Sequence, residues 1–312
     1  MTDLLVKNCL LSKNKDPQDI LIKEGVIKDI ASKITADNVP IIDADFHFVT
    51  PPFVDSHFHM DATLSYGLPR VNKSGTLLEG IKLWGELKPN LTADAIKERA
   101  LKFCKWAIAR GTLAIRSHVD VSGQNLVGVE ALLDVRETMK DFIDIQLVAF
   151  PQDGLLRANC LDNLNTALDM GVDVVGGIPH FERTMEEGHE SIRILCEIAE
   201  KRGLLTDLHC DETDDPMSRH VEKLALETTR LGLKGRVAGS HLTSMHSIDN
   251  YYFTKLISLL VEADLNIIAN PLINITIQGR QDNYPKRRGL TRIPEQLNAG
   301  LKVAFGHDCV MD

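Results

Sequence analysis

Long apolar runs are missing from this chain of 312 residues, so no segment offers the ~20 consecutive apolar residues that a bilayer-spanning helix needs. Its opening, Met-Thr-Asp-Leu-Leu-Val-Lys, lacks the charged-then-apolar layout of a secretion leader, and a cytoplasmic location is expected. Positive charge is also in deficit. With 35 Lys and Arg against 44 Asp and Glu, the formal net charge is −9, which speaks against a nucleic-acid partner and gives no basic face for a membrane. Cysteine pairs are absent: Cys9, Cys104, Cys160, Cys196, Cys210 and Cys309 form no Cys-x-x-Cys, and their apolar or helical settings read as reduced thiols. There is no internal repeat, low-complexity segment or long flexible linker. The 44% hydrophobic content suits a globular chain large enough for a barrel and a small appendage.

What is present is a regular alternation. The stretch Val49-Thr-Pro-Pro-Phe-Val-Asp-Ser-His57-Phe-His59-Met-Asp61 reads as a buried strand ending in two imidazoles one residue apart. In an extended backbone such residues project from one face, where they can hold one divalent cation. Seven further β-prone runs follow, covering residues 112–120, 143–152, 172–180, 204–212, 235–241, 265–270 and 301–308, several ending in a residue able to bind metal or move protons. Helical stretches separate them. Residues 91–111 open on a threonine cap, carry apolar residues at helical spacing and stop at Gly111; 187–202 and 247–262 behave similarly. Eight strands alternating with helices predict a (β/α)8 barrel over 49–312, with the chemistry at the strands' carboxyl ends. A doubly wound sheet also alternates, but does not bring residues of the first, fifth, sixth and eighth strands to one point. Ahead of the barrel, residues 1–48 read as part of a small β-sandwich, with a hairpin at Glu24-Gly25.

In order along the chain, His57-Phe-His59-Met-Asp61, Arg116-Ser-His118-Val-Asp120, Phe150-Pro-Gln152-Asp-Gly, Pro179-His180-Phe-Glu182, His209-Cys-Asp-Glu212, Ser240-His241, Asn270-Pro-Leu-Ile-Asn274, Gln278-Gly-Arg280 and Phe305-Gly-His307-Asp308 form a set that resembles the amidohydrolase superfamily, and within it the bacterial cytosine deaminases. The resemblance implies one metal ion bound by His57, His59, His209 and Asp308; three imidazoles and a carboxylate suit iron or zinc. It implies that Asp308 and His241 take a proton from the attacking water and orient it, and that Glu212 carries a proton to the ring nitrogen beside the attacked carbon. Gln152, with both donor and acceptor, is placed to read the amide-like edge of a pyrimidine. His118 and His180 are expected to line the pocket or to be satisfied barrel histidines, with the second role favoured. His47, His189, His220 and His246 read as ordinary loop or helix residues.

Two departures stand out. The family's second aspartate, next to the metal aspartate, is Cys309 here, and a thiol does not hold an amino or ring N–H group as a carboxylate does. The expected substrate is therefore an aminated N-heterocycle, cytosine or a close analogue, with isocytosine, creatinine and amino-triazines as alternatives. The chain also stops four residues after Asp308, without the last barrel helix or the tryptophan that the family places past that aspartate. A fragment is expected, with rescue by association into a homo-oligomer as one outcome. Cyclic-amide hydrolysis of the dihydroorotase type would require two metals and a modified lysine at the fourth strand, where Val174-Val-Gly-Gly-Ile-Pro supplies none. A non-catalytic remnant is the third reading. The deaminase design built on His-x-Glu and Pro-Cys-x-x-Cys is excluded by the missing cysteine pair.

Overall fold

The computed structural model of the chain describes residues 3–11 and 16–309. Met1, Thr2, residues 12–15 and residues 310–312 lie outside the described residues, and with them the first two residues of the chain's opening and most of its ending. The contacts divide the chain into two units at Pro52 and Phe53.

The first unit is one four-stranded sheet built from β1 (Leu4–Cys9), β2 (Gln18–Lys23), β3 (Val26–Ala31) and β4 (Ile41–Asp43), in the order β3-β2-β1-β4. β1 pairs antiparallel with β2 and parallel with β4. The hairpin between β2 and β3 turns at Glu24 and Gly25, both at positive φ, as the tight turns that match strand twist demand. Leu5, Cys9 and Ile20 are buried, whereas Val26, Ile27, Ile41 and Ile42 are exposed. The second layer of the expected sandwich is not formed by the described residues.

The second unit is the expected barrel. Its strands are β5 (Phe53–Phe58), β6 (Thr112–Asp120), β7 (Asp144–Phe150), β8 (Val174–Gly177), β9 (Leu205–Cys210), β10 (Val237–His241), β11 (Asn266–Ala269) and β12 (Lys302–Phe305), all parallel and in sequential order. β5 starts four residues later than the apolar run suggests, because Pro51 and Pro52 have no N–H to give to a ladder. The seam between β12 and β5 closes at a bridge in which Asp308 N–H donates to His57 O at 2.8 Å. Gly306 permits that closure: a Cβ there would lie 2.6 Å from the His57 Cβ.

Helices α1 (Leu77–Leu87), α2 (Ala93–Ala109), α3 (Val127–Met139), α4 (Cys160–Asp169), α5 (Met185–Arg202), α6 (His220–Arg230), α7 (Asn250–Glu262), α8 (Pro271–Ile277) and α9 (Ile293–Asn298) fill the connections. Thr92 caps α2 as the sequence suggests, its hydroxyl accepting from Ala95 N–H. Ile96, Leu132, Leu164, Leu195, Leu224 and Leu256, one each from α2 to α7, are essentially inaccessible and form the core between helices and strands. Each such side chain contributes about 1.5–3 kcal/mol of burial. No described helix is long and apolar enough to cross a membrane.

Candidate metal centre

The alternation of side chains along a strand decides what reaches the barrel's carboxyl end. On β9, Asp207 and His209 share a face, as do Arg116 and His118 on β6. His57 is the penultimate residue of β5 and His59 follows its end; Ser240 and His241 end β10. Asp308 lies just past β12, held by its own N–H on His57 O. The result is a cluster of imidazoles: the His57 ring centroid is 4.2 Å from that of His118, 4.5 Å from His209 and 4.7 Å from His241.

Four of these side chains, His57, His59, His209 and Asp308, offer ligand atoms that all lie within 4.8 Å of one another. Asp308 Oδ1 is 3.0 Å from His57 Nε2 and 3.4 Å from His59 Nε2, and His59 Nε2 is 3.0 Å from His209 Nε2. Around a tetrahedral ion with bonds of about 2.0–2.1 Å, donor atoms stand about 3.3 Å apart, close to these separations. Hydrogen bonding alone does not account for them. Ser240 Oγ–H donates to Asp207 Oδ1 at 2.7 Å, so it receives the Nδ1–H of His57 at 3.1 Å. That leaves neutral His57 with a bare Nε2 that has no hydrogen-bond partner and faces a carboxylate oxygen. Two acceptors face to face in a buried site repel unless a proton or a cation lies between them, and three imidazoles converging on one carboxylate at these separations fit a metal ion.

A second set, His57, His118 and Asp207, also lies within bonding reach of one ion. Its carboxylate is already neutralised by Arg116 at 2.9 Å and satisfied by Ser240, which leaves it poorly suited to a dication. Both His118 ring nitrogens are buried without a hydrogen-bond partner, Asp207 Oδ1 standing 3.9 Å from Nε2, and the residue does not line the cavity beside the centre. His180 sits with Nδ1 3.2 Å from His209 O, its pKa pushed down to about 4 by burial. His307 binds Asp55 across the seam at 3.0 Å.

Electrostatics separate the two acids of the site. Burial, reinforced by the charge of Asp308, pushes the Glu212 carboxyl well above the usual range. Asp308 is buried too, but His57 and His59, where their rings donate to it, hold it well below that range, so the surroundings push the two acids in opposite directions. Burial and the neighbouring His57 push His209, His241 and His118 down; His59 is raised against its burial by Asp308. His241 spans both acids, Nδ1 3.1 Å from Glu212 Oε1 and Nε2 3.6 Å from Asp308 Oδ1. His241 and Asp308 both take positive φ, 71° and 73°, a backbone strain of ~1–3 kcal/mol each that the surrounding bonds sustain.

A cavity of about 100 Å3 opens beside the centre. It brings His59, His209, Asp308, Glu212, Gln152 and Cys309 together; His57 and His241 lie behind this wall, within the cluster. Four contributors escape sequence reasoning as functional groups. Asn274 Nδ2 reaches both Glu212 Oε1 at 3.2 Å and His241 Nδ1 at 3.1 Å, and Asn270 Nδ2 lies 3.2 Å from His241 Nε2. Their i, i+4 spacing across the start of α8 is the signal that could have paired them. Trp84 and Ile81 of α1 supply apolar wall, and nothing local in the sequence points to that helix.

The model of the amidohydrolase family matches residues 40–312. The chain is 31% identical over 279 residues to N-isopropylammelide isopropyl amidohydrolase of Pseudomonas sp. strain ADP, covering 85% of this chain and 67% of that protein. It is 29% identical over 300 residues to pterin deaminase of Rhizobium rhizogenes, covering 94% and 68%. The crystal structure of 5-methylcytosine deaminase from Klebsiella pneumoniae, liganded with 5-fluorocytosine, superposes with a TM-score of 0.95 at 41% identity, over 99% of this chain and 75% of that one.

Proposed function

This chain belongs to the amidohydrolase family, is a hydrolase of C–N bonds, and from that premise we propose that it deaminates a single-ring aminated pyrimidine of the cytosine type, with 5-methylcytosine as the first compound to test. The observation that carries the reading is the cavity wall itself, where the carboxyl groups of Glu212 and Asp308, pushed up and down respectively by their surroundings, converge with a carboxamide at Gln152 and two imidazoles.

The proposed ligands of one divalent ion, iron or zinc, are His57, His59, His209 and Asp308. Such an ion, when bound, lowers the pKa of water from about 15.7 toward 7 and so supplies a nucleophile at neutral pH. Asp308 accepts the proton that the attacking water gives up. Glu212 delivers its proton to the ring nitrogen next to the carbon under attack, the electron pair of the C=N bond moving onto that nitrogen. His241, held by Asn270 and Asn274, orients both acids. Asp308 passes its proton to the exocyclic nitrogen, the C–N bond breaks with its electron pair leaving on ammonia, and the hydroxyl proton goes back to Glu212 as the oxo compound forms. Gln152 pairs with the amide-like edge of the ring, and Ile81, Trp84, Ile178, Ile273 and Ile277 exclude water from its faces.

Two features support the substrate reading. A cavity of about 100 Å3 is below the usual range of small-molecule pockets and suits one ring better than a fused pair such as a pterin. At Cys309 the wall is a thiol, smaller and less polar than a carboxylate, which favours an apolar substituent there. A single ion is favoured because β8 carries no lysine, and at Gly177 even a Cβ would meet Leu195 Cδ1 at 2.3 Å. The test is ammonia release over cytosine, 5-methylcytosine, isocytosine, creatinine, amino-triazines and pterin with ion-loaded protein. Preference for the cytosines supports the reading; turnover of pterin or triazines alone rejects it.

A further inference from the structure

The outer wall of the cavity is not held by the metal centre. It is formed by α1 and the loop before it, which contribute Asn72, Thr76, Leu77, Gly80, Ile81 and Trp84. Leu77, Ile81, Trp84 and Lys88 recur at helical spacing along one stripe, so what fixes Lys88 fixes the wall.

Lys88 is fixed by two acids from two other strand ends. Its Nζ donates to Asp120 Oδ2 at 3.2 Å and to Asp153 Oδ2 at 2.6 Å. Asp120 ends β6 and also takes the Trp84 indole N–H on the same Oδ2, at 2.7 Å. Asp153 follows Gln152 directly, and its backbone N–H donates to Ser122 Oγ, whose own N–H donates to Asp120 Oδ1. Asp120 N–H in turn donates to Asp61 Oδ2 near the exit of β5. One ammonium, 17% exposed, therefore ties the tryptophan wall and the loop bearing Gln152 to one carboxylate. Without it Asp120 and Asp153 face each other with their mutual repulsion uncompensated.

We propose that Lys88 is a positioning residue for substrate binding: by bridging Asp120 and Asp153 it locks Trp84 and the Gln152 loop into one rigid frame whose separation sets which rings fit. This deepens the reading of the cavity as the substrate pocket and rests on it. Lys88 touches neither ion ligands nor the two acids of the reaction, so it should act on binding and leave the chemical step.

The chain has two tryptophans, Trp84 and the exposed Trp106 on α2, so Trp106→Phe leaves a single reporter inside the wall. In that background, Lys88→Met should at least double the acrylamide quenching constant of Trp84. It should raise KM for 5-methylcytosine about tenfold while kcat stays within about threefold. Lys88→Arg, which keeps the bridging charge, should restore both, and ion content should not change. Asp120 keeps the Trp84 and Ser122 donors in the Met variant, so folding is expected; if it fails, Asp153→Asn breaks the same bridge at its exposed end and should move both readouts the same way. An unchanged quenching constant in a folded variant overturns the proposal, and so does an unchanged KM in an active one. If the parent protein turns over none of the compounds, the deaminase reading falls while the quenching experiment still decides the clamp.

Discussion

The two mouths of the barrel are both polar and built from the same eight strands, yet they differ in what their polar groups lack. At the strands' amino ends a cavity of about 730 Å3 is lined by Arg116, Arg136, Asp173, Arg236 and Lys302 among others. Its cations have partners: Arg136 pairs with Asp173 at 2.7 Å, Arg236 donates to Leu204 O at 2.6 Å, and Lys302 meets Asp264. At the carboxyl ends the cavity is far smaller, but His57 Nε2, His209 Nδ1 and both nitrogens of His118 are buried without hydrogen-bond partners, and Asp211, His241, Leu242 and Asp308 take positive φ. Size does not locate the chemistry. A convergence of unpartnered imidazoles does: the amino-end mouth carries the unpartnered hydroxyl of Thr206, whereas at the carboxyl ends several buried ring nitrogens meet, each costing ~1–3 kcal/mol unless an ion or a substrate repays it.

That contrast can be broken most forcefully at Glu212. Glu212→Gln should lower kcat by about 10²–10⁴ while ion content, read by elemental analysis, stays at the parent level. Retained turnover would remove Glu212 as the proton carrier. Asp207→Asn tests the layer between the mouths, since Asp207 links Arg116 below to Ser240 and His57 above. Loss of this fully buried carboxylate should cost about 3 kcal/mol in urea denaturation and also weaken the ion, linking the two regions in one variant. Ser240→Ala removes the acceptor of the His57 Nδ1–H together with the hydroxyl donor to Asp207 Oδ1, and leaves both charged partners in place. Ion affinity in chelator competition should fall about 10–100-fold, with fold stability changed much less. Arg136→Ala should do least: its pair with Asp173 is partly exposed, so stability should drop by under about 1 kcal/mol and kcat should not move. A loss of activity there would erase the distinction between the mouths.

How much of this was legible in the sequence follows from which signals are local. The eight strands are, because period and breakers mark each one; the apolar run places the start of β5 too early, at Val49, ahead of Pro51 and Pro52. The His57-x-His59 pair is local too, since two side chains on one strand face need no tertiary information. The proposed partners His209 and Asp308 became candidates through motif resemblance, and their meeting depends on barrel closure at the Phe58–Asp308 bridge. The Lys88 clamp was illegible. It joins residues 32 and 65 positions apart through α1, a helix whose short apolar stripe carries no distinctive motif. The surroundings of His118 were illegible for a related reason: what an imidazole lacks is visible only when every neighbour is known.

The most direct test of the account is a crystal structure of ion-loaded protein, with anomalous scattering recorded at the absorption edge of the bound metal. One peak within about 2.0–2.3 Å of His57, His59, His209 and Asp308 is predicted. A peak lodged instead among His57, His118 and Asp207, or a pair of peaks, would contradict it.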